Sequence, residues 1–190
     1  MRKHPHRGRP AGGITLIETL ITIFVLTIGL LGMASLQARA HQAELESYQR
    51  SQALLLLDDI TNRISANREL LDCYVLSDPG ATSLLHLGTS PTATIDTGCD
   101  TLAGQDLQAW DNLLKGATET LGGTSVGAMV GARGCIQKLD TDRHVEISVA
   151  WQGQLAITPP PATVLCGQGF YGNENQRRVV TRRLRFANLQ

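Results

Sequence analysis

The sequence predicts an α+β protein in which a long N-terminal helix leads into a small head of antiparallel strands. Three observations predict it. Residues 14–36 form a 23-residue apolar run whose single formal charge is Glu18. From Gln37 the chain turns polar, yet no proline or glycine appears until Pro79. Beyond residue 143, two stretches alternate apolar and polar residues, the period of a strand with one covered face. At 190 residues the chain suits one core with attachments rather than two independent cores.

Charge and cysteine content narrow the possible roles. The 17 basic and 17 acidic residues cancel, so nothing global recommends nucleic acid as a partner. The balance hides an asymmetry: Arg2, Lys3, Arg7 and Arg9 lie in residues 1–13 without any acid. Without that leader, 13 basic residues face 17 acidic ones, a net of −4. The four cysteines, at 73, 99, 135 and 166, include no CxxC pair. Such spacing argues against a zinc ribbon or a thioredoxin-type site, and an even count suits disulfides in an oxidising compartment. A cytosolic enzyme does not fit this composition.

As a helix, residues 14–36 would extend roughly 35 Å at about 1.5 Å per residue, against a hydrocarbon core of about 30 Å. The short basic flank precedes the run, and only Arg39, Glu44 and Glu46 follow closely. The positive-inside rule therefore puts residues 1–13 in the cytoplasm and the chain after Leu36 outside. Three readings fit this far. A cleaved signal peptide could use Ala38-Arg39-Ala40, but the run exceeds the usual apolar region of about 7–15 residues. A plain anchor explains the span and leaves Glu18 unexplained. An anchor with a working carboxylate explains both, because an ionisable group inside a span carries a cost that a partner relieves.

Gly13-Ile14-Thr15-Leu16-Ile17-Glu18, after a basic leader and before an apolar helix, resembles the class III prepilin signal of type IV pilins and pseudopilins. The resemblance implies that a membrane peptidase cuts between Gly13 and Ile14 and that Ile14, where the family usually has Phe, becomes the N-methylated first residue. Glu18 then becomes the fifth residue. It would neutralise the terminal amine of an adjacent subunit and set axial register, because either charge left unpaired in the bilayer is unfavourable. Gly29 and Gly32 would serve close packing of helices or local unwinding in a filament. The proline common in major subunits is replaced by Ser35.

Past the membrane, Ala53, Leu57, Ile60 and Ile64 recur at i, i+4, i+7 and i+11, one stripe of a 3.6-residue period. One continuous helix is predicted over about 14–67, roughly 80 Å long at about 1.5 Å per residue. Asp59 and Arg63 stand four apart in the favourable order. The stretch Glu46-Ser47-Tyr48-Gln49-Arg50-Ser51-Gln52-Ala53, together with residues 59–67, is similar to a pattern common in minor pilins of the PilV kind.

The predicted division is a cleaved leader (1–13), a transmembrane or filament-core helix (14–36), an amphipathic spine (37–68) and a periplasmic α+β head (69–190). Within the head, residues 77–104 read as an irregular surface loop. Residues 105–114 read as a short amphipathic helix with Leu107, Trp110, Leu113 and Leu114 on one face. Residues 121–131 are glycine-rich loop. After Gly134-Cys135-Ile136-Gln137-Lys138 and a Thr141-Asp142 turn, Val145, Ile147, Val149 and Trp151 alternate with Glu146, Ser148 and Ala150 in a half-buried strand. A short strand is predicted over 164–166 beyond the triple proline, and a last one over 178–186. Of the three disulfide connectivities possible for four cysteines, pairing along the chain gives Cys73–Cys99 and Cys135–Cys166. The second would tie a strand to the closing segment, as C-terminal disulfide loops do in many pilins.

Other motifs lead nowhere. Gly167-Gln168-Gly169-Phe170-Tyr171-Gly172 matches GxGxxG, but a dinucleotide site needs a strand before it, a helix after it and an acid about 20 residues on. A turn is the better account, and Cys166-Gly167-Gln168-Gly169-Phe170-Tyr171-Gly172-Asn173-Glu174 also fits a pattern that recurs in PilV-like chains. Arg177, Arg178, Arg182, Arg183 and Arg185 form the densest cationic run. They are read as solvated or paired with neighbouring subunits, with DNA contact as the lesser alternative. His4, His6, His41, His86 and His144 form no HExxH, and no GxSxG occurs. No catalytic residue, cofactor or metal is expected.

The function the resemblance implies is that of a minor type IV pilin. It would sit in the inner membrane, then join an extracellular pilus and help prime or cap assembly. Its partners would be the prepilin peptidase, other minor pilins, the major pilin, the assembly platform and a tip adhesin. The alternatives are a minor pseudopilin of a type II secretion system and a single-span periplasmic protein that contacts DNA.

Overall fold

The computed structural model describes residues 13–116, 120–121, 124–125, 129–140 and 143–187. In chain order the elements are α1 (Leu16–Ala66), a 3₁₀ turn (Arg68–Leu70), α2 (Leu71–Tyr74), β1 (Leu87–Gly88) and α3 (Thr101–Leu114). There follow β2 (Thr120–Leu121), β3 (Thr124–Ser125), β4 (Arg133–Lys138), β5 (His144–Gln152), a 3₁₀ turn (Glu174–Gln176) and β6 (Arg177–Arg185). The chain divides into two compact units, Met1–Ala43 and Glu44–Gln190, and α1 contributes to both. The predicted leader, except for Gly13, and the Thr141-Asp142 turn lie outside the described residues, as do 122–123 and 126–128 of the predicted glycine-rich loop, in which Leu121 and Thr124–Ser125 are strand rather than loop.

In the first unit α1 is a bare rod, every described residue of it exposed. Thr15 caps its start, the hydroxyl oxygen accepting from the Glu18 N–H at 3.3 Å; a helix start otherwise leaves such amides open. Thr19, Thr22 and Thr27 donate their hydroxyls to the carbonyls of Leu16, Thr19 and Phe24 at 2.7, 2.8 and 2.8 Å. These polar groups are therefore satisfied within the helix. The α-helix runs unbroken through Gly29, Gly32 and Ser35.

In the second unit the rest of α1 is the spine of a core. Ala53, Leu57, Ile60 and Ile64 are buried, with Thr61. They belong to one cluster with Leu107 and Trp110 of α3 and the inward residues of β5. The Trp110 indole N–H donates to the Leu56 carbonyl at 3.0 Å and fastens α3 to the spine. Arg63 reaches Asp59 at 2.9 Å, the i,i+4 pair visible in sequence, and also Asp106 of α3 at 2.9 Å. Tyr74 donates its hydroxyl to Asp106 at 2.6 Å. Burial and that carboxylate push the Tyr74 phenol well above its ordinary range.

The main sheet has the order β1-β4-β5-β6, every neighbouring pair antiparallel. Gly134 of β4 lies directly under Trp110: a Cβ there would stand 2.3 Å from the indole, so only glycine lets sheet and helix approach this closely. Both disulfides are formed. Cys73–Cys99 ties α2 to the approach to α3, and Cys135–Cys166 ties β4 to the segment after the triple proline.

Five expectations are corrected. The helix placed at 105–114 starts a turn earlier, because the Asp100 carboxylate caps it, accepting from Leu102 and Ala103 N–H at 2.8 and 3.0 Å. The loop over 77–104 is irregular but not all surface: Leu84, His86 and Leu87 are buried, and Leu87–Gly88 pairs with β4. β5 is not half-buried; Val145 through Trp151 are all buried. Its second face is covered because Ala150 packs with Cys135, Cys166 and Tyr171, while Glu146 is capped by Arg183 at 2.6 Å. Residues 164–166 are not a strand. The Arg177 guanidinium takes the carbonyls of Val164 and Cys166 at 2.8 and 3.2 Å, and the disulfide holds the turn in place. The arginine run is only partly solvated: Arg177 and Arg178 are buried, whereas Arg183 and Arg185 stay exposed.

Candidate functional site

The residues singled out by the leader signal stand at the open end of α1. Gly13 and Ile14 precede the first helical residue, Leu16, and both are exposed. Gly13 has no side chain and lies outside the helix, so the backbone there is open to close approach. Glu18 lies in the first turn of α1, where a carboxylate suits the positive end of the helix dipole. Among the described residues its side chain has no hydrogen-bond or ionic partner. It is the one ionisable group on a surface built from Leu16, Ile17, Leu20, Ile21, Phe24 and the apolar residues that follow, each more than half exposed. This single helix is long and apolar enough to cross a membrane. The arrangement can bury its rod in lipid or against like helices, and it offers one anionic group to a cation brought alongside.

The C-terminal arginines form a second constellation, inside the head. Arg177 is 1% exposed and pairs with Glu174 at 2.5 Å. Arg178 is 9% exposed and donates to Glu46 of α1 at 3.0 Å, to Leu155 O at 2.5 Å and to Asn175 O at 3.0 Å. Arg182 pairs with Asp58 of α1, and Arg183 with Glu146 of β5. Only Arg185 of the run has no partner among the described residues. α1 thus lies along β6, bound to it at two points. The spacing of these arginines signals a strand, but no sequence signal names their acids.

Gly167, Gly169 and Gly172 of the GxGxxG match all have positive φ, and the segment is a chain of turns rather than a strand-to-helix crossing. Glu174 closes it, accepting from the Gly169 N–H at 2.8 Å. Burial pushes the Glu174 carboxyl up, but that amide and Arg177 outweigh it and hold the group below its usual range.

His144 pairs with Asp140. His86 is buried, with Nδ1 beside the Thr92 hydroxyl at 3.0 Å and Nε2 within 3.2 Å of Arg133 Nε. Among the described residues no group of His, Cys, Asp and Glu is placed to hold a metal ion. No known protein family, no characterised protein and no solved structure matches this chain.

Proposed function

We propose that the protein is a minor type IV pilin of the PilV kind, a structural subunit rather than a catalyst. It is cut between Gly13 and Ile14, held in the inner membrane by residues 14–36 with its head in the periplasm, and recruited into a pilus that it helps to prime or cap. The observation that carries this reading is the pairing of an exposed apolar rod with one unpartnered carboxylate, Glu18, five residues into the chain that begins at Ile14. A plain anchor needs the rod and has no use for the acid. An assembling subunit needs both, since the new amine of one copy and the Glu18 of the next neutralise each other where water is scarce. Two disulfides in the head agree with a periplasmic, oxidising destination. Its partners on this reading are the prepilin peptidase, the major and other minor pilins, the assembly platform and a tip adhesin.

The same signal serves pseudopilins of type II secretion systems, and co-purification with a secretion apparatus instead of retractable pili would reassign the protein to them. The pairing of Arg177, Arg178, Arg182 and Arg183 with acids of the chain weighs against the DNA reading.

Mass determination of the mature N-terminus tests the proposal. A chain beginning at N-methylated Ile14 is the expected result. A start at His41 would identify an ordinary signal peptide, and an intact Met1 end a simple anchor; either overturns it.

A further inference from the structure

We propose that Arg133, framed by Phe170 and Tyr171, is a binding site for the carboxylate of a ligand with an apolar or aromatic body. Arg133 is 6% exposed, and a guanidinium keeps its charge at any ordinary pH. A cation so far withdrawn from water is normally matched by an acid. Here none is present: among the described residues no carboxylate pairs with Arg133, although every other buried arginine has one. Its Nε donates to His86 Nε2 at 3.2 Å, and Nη1 donates to the Gly131 carbonyl at 2.9 Å. The guanidinium carbon lies 4.6 Å from the centre of the Phe170 ring and 4.9 Å from that of Tyr171. Aromatic faces attract a cation without neutralising it.

The neighbouring titratable groups do not supply the missing charge. Glu174, on the same segment as the two rings, is occupied by the Gly169 N–H and Arg177. Tyr171 donates its hydroxyl to Gly131 O at 2.9 Å, and burial pushes its ionisation up despite the guanidinium beside it. His86 Nε2 lies between Arg133 Nε at 3.2 Å and the Ser90 carbonyl at 3.0 Å, and burial and Arg133 lower the pKa of the ring. Among the described residues the cluster therefore presents one positive charge without an acid, on a guanidinium whose Nε and Nη1 also donate to His86 and Gly131.

Chemistry selects the ligand. A carboxylate is a planar monoanion that matches the guanidinium in charge and in spacing of its oxygens. Phe170, 44% exposed, offers a ring face or edge to whatever the carboxylate is attached to, and exposed Val130 is next in the chain to Gly131. A free carboxylate and an acidic side chain on another protein share this chemistry. The inference stands independently of the filament reading, since no residue of α1 enters it.

The test uses the full chain in neutral detergent micelles, titrated with benzoate and observed by NMR at the Phe170, Tyr171 and His86 rings. Benzamide, the uncharged isostere, is the control. Benzoate should give saturable shifts with a dissociation constant on the order of millimolar. It should also raise the titration midpoint of His86, because a bound anion offsets the field of Arg133; benzamide should do neither. Arg133→Lys keeps the charge and loses the fork, and should weaken binding about tenfold or more. Phe170→Ala alters an exposed residue and should weaken binding several-fold with the remaining spectrum intact. An end-blocked leucine-glutamate-leucine peptide that binds about tenfold tighter than benzoate assigns the site to a protein side chain. Equal or weaker peptide binding assigns it to a free carboxylate. Equal shifts with benzamide, no saturable response to benzoate, or unchanged affinity in both variants would overturn the proposal.

Discussion

Arg178 of β6 donates to Glu46 of α1 at 3.0 Å across a sequence separation of 132 residues. Glu46 also accepts from the Leu155 N–H at 3.3 Å, so one carboxylate gathers the spine, the last strand and the loop between β5 and β6. Asp58 and Arg182 repeat the link further along the same two elements. Glu46 and Arg50 stand four apart in the order that favours a pair within the helix, yet Glu46 turns to Arg178. The long-range partner wins because it is already desolvated and, among the described residues, has no other acid as counter-charge.

The two links should therefore differ in energy. Arg178→Ala leaves Glu46 half-buried without its cation and is expected to lower unfolding stability by about 3 kcal/mol. Arg182 and Asp58 are both more than a third exposed, and Arg182→Ala should cost less than about 1 kcal/mol. Urea titration of both variants measures the difference; equal losses would refute the ranking.

His86 makes stability depend on pH. Its folded pKa lies below the ordinary 6.5, because burial and Arg133 disfavour the charged ring. Between those two values the unfolded chain binds the proton and the folded one does not, so stability falls as pH drops. Above pH about 6.5 both states are neutral and the effect vanishes. The urea midpoint should decline from pH 7 towards pH 5, and His86→Gln should flatten the part of that slope due to this ring.

The disulfides should not be equivalent. Each closes a loop of similar size, with separations of 26 and 31 residues, worth about 3–4 kcal/mol in chain entropy. Cys135 and Cys166 are also buried, and the Cys166 carbonyl receives Arg177. The Cys135→Ser/Cys166→Ser double variant should therefore lose more stability than Cys73→Ser/Cys99→Ser. Thermal melts of the two would reveal the order.

Gly134→Ala forces a methyl to within 2.3 Å of Trp110, where neither sheet nor helix can yield cheaply. A loss of about 1–3 kcal/mol is expected. Near-ultraviolet circular dichroism of the Trp110 environment should change with it. An unchanged spectrum and stability would mean that the helix–sheet contact is looser than described.

On the proposed pilin reading, Glu18→Ala addresses assembly rather than stability. Cleavage at Gly13 and membrane insertion should persist, since the apolar run is intact, while incorporation into pili should be lost. Immunodetection in sheared pili measures it, and wild-type incorporation would remove the role assigned to the carboxylate.

Sequence periodicity alone determined the elements that depend on local pattern. The apolar run shows as an unbroken stretch of sequence, while the stripe Ala53, Leu57, Ile60 and Ile64 and the alternation in β5 report apolar faces that the head packs into its core. The unusual acid at Glu18 was legible for the same reason, a lone charge against an apolar background. Only the tertiary structure decided which opposite charges meet. Arg178 and Glu46, Arg182 and Asp58, and Arg183 and Glu146 are brought together by antiparallel pairing and by the path of α1 along β6, and nothing local encodes that path. It also decided that Glu146 and Ser148 lie under cover and that Arg133 has rings around it where an acid would be the usual neighbour. Ion pairing and two-sided burial are properties of surfaces that come together, whereas alternation is a property of one strand.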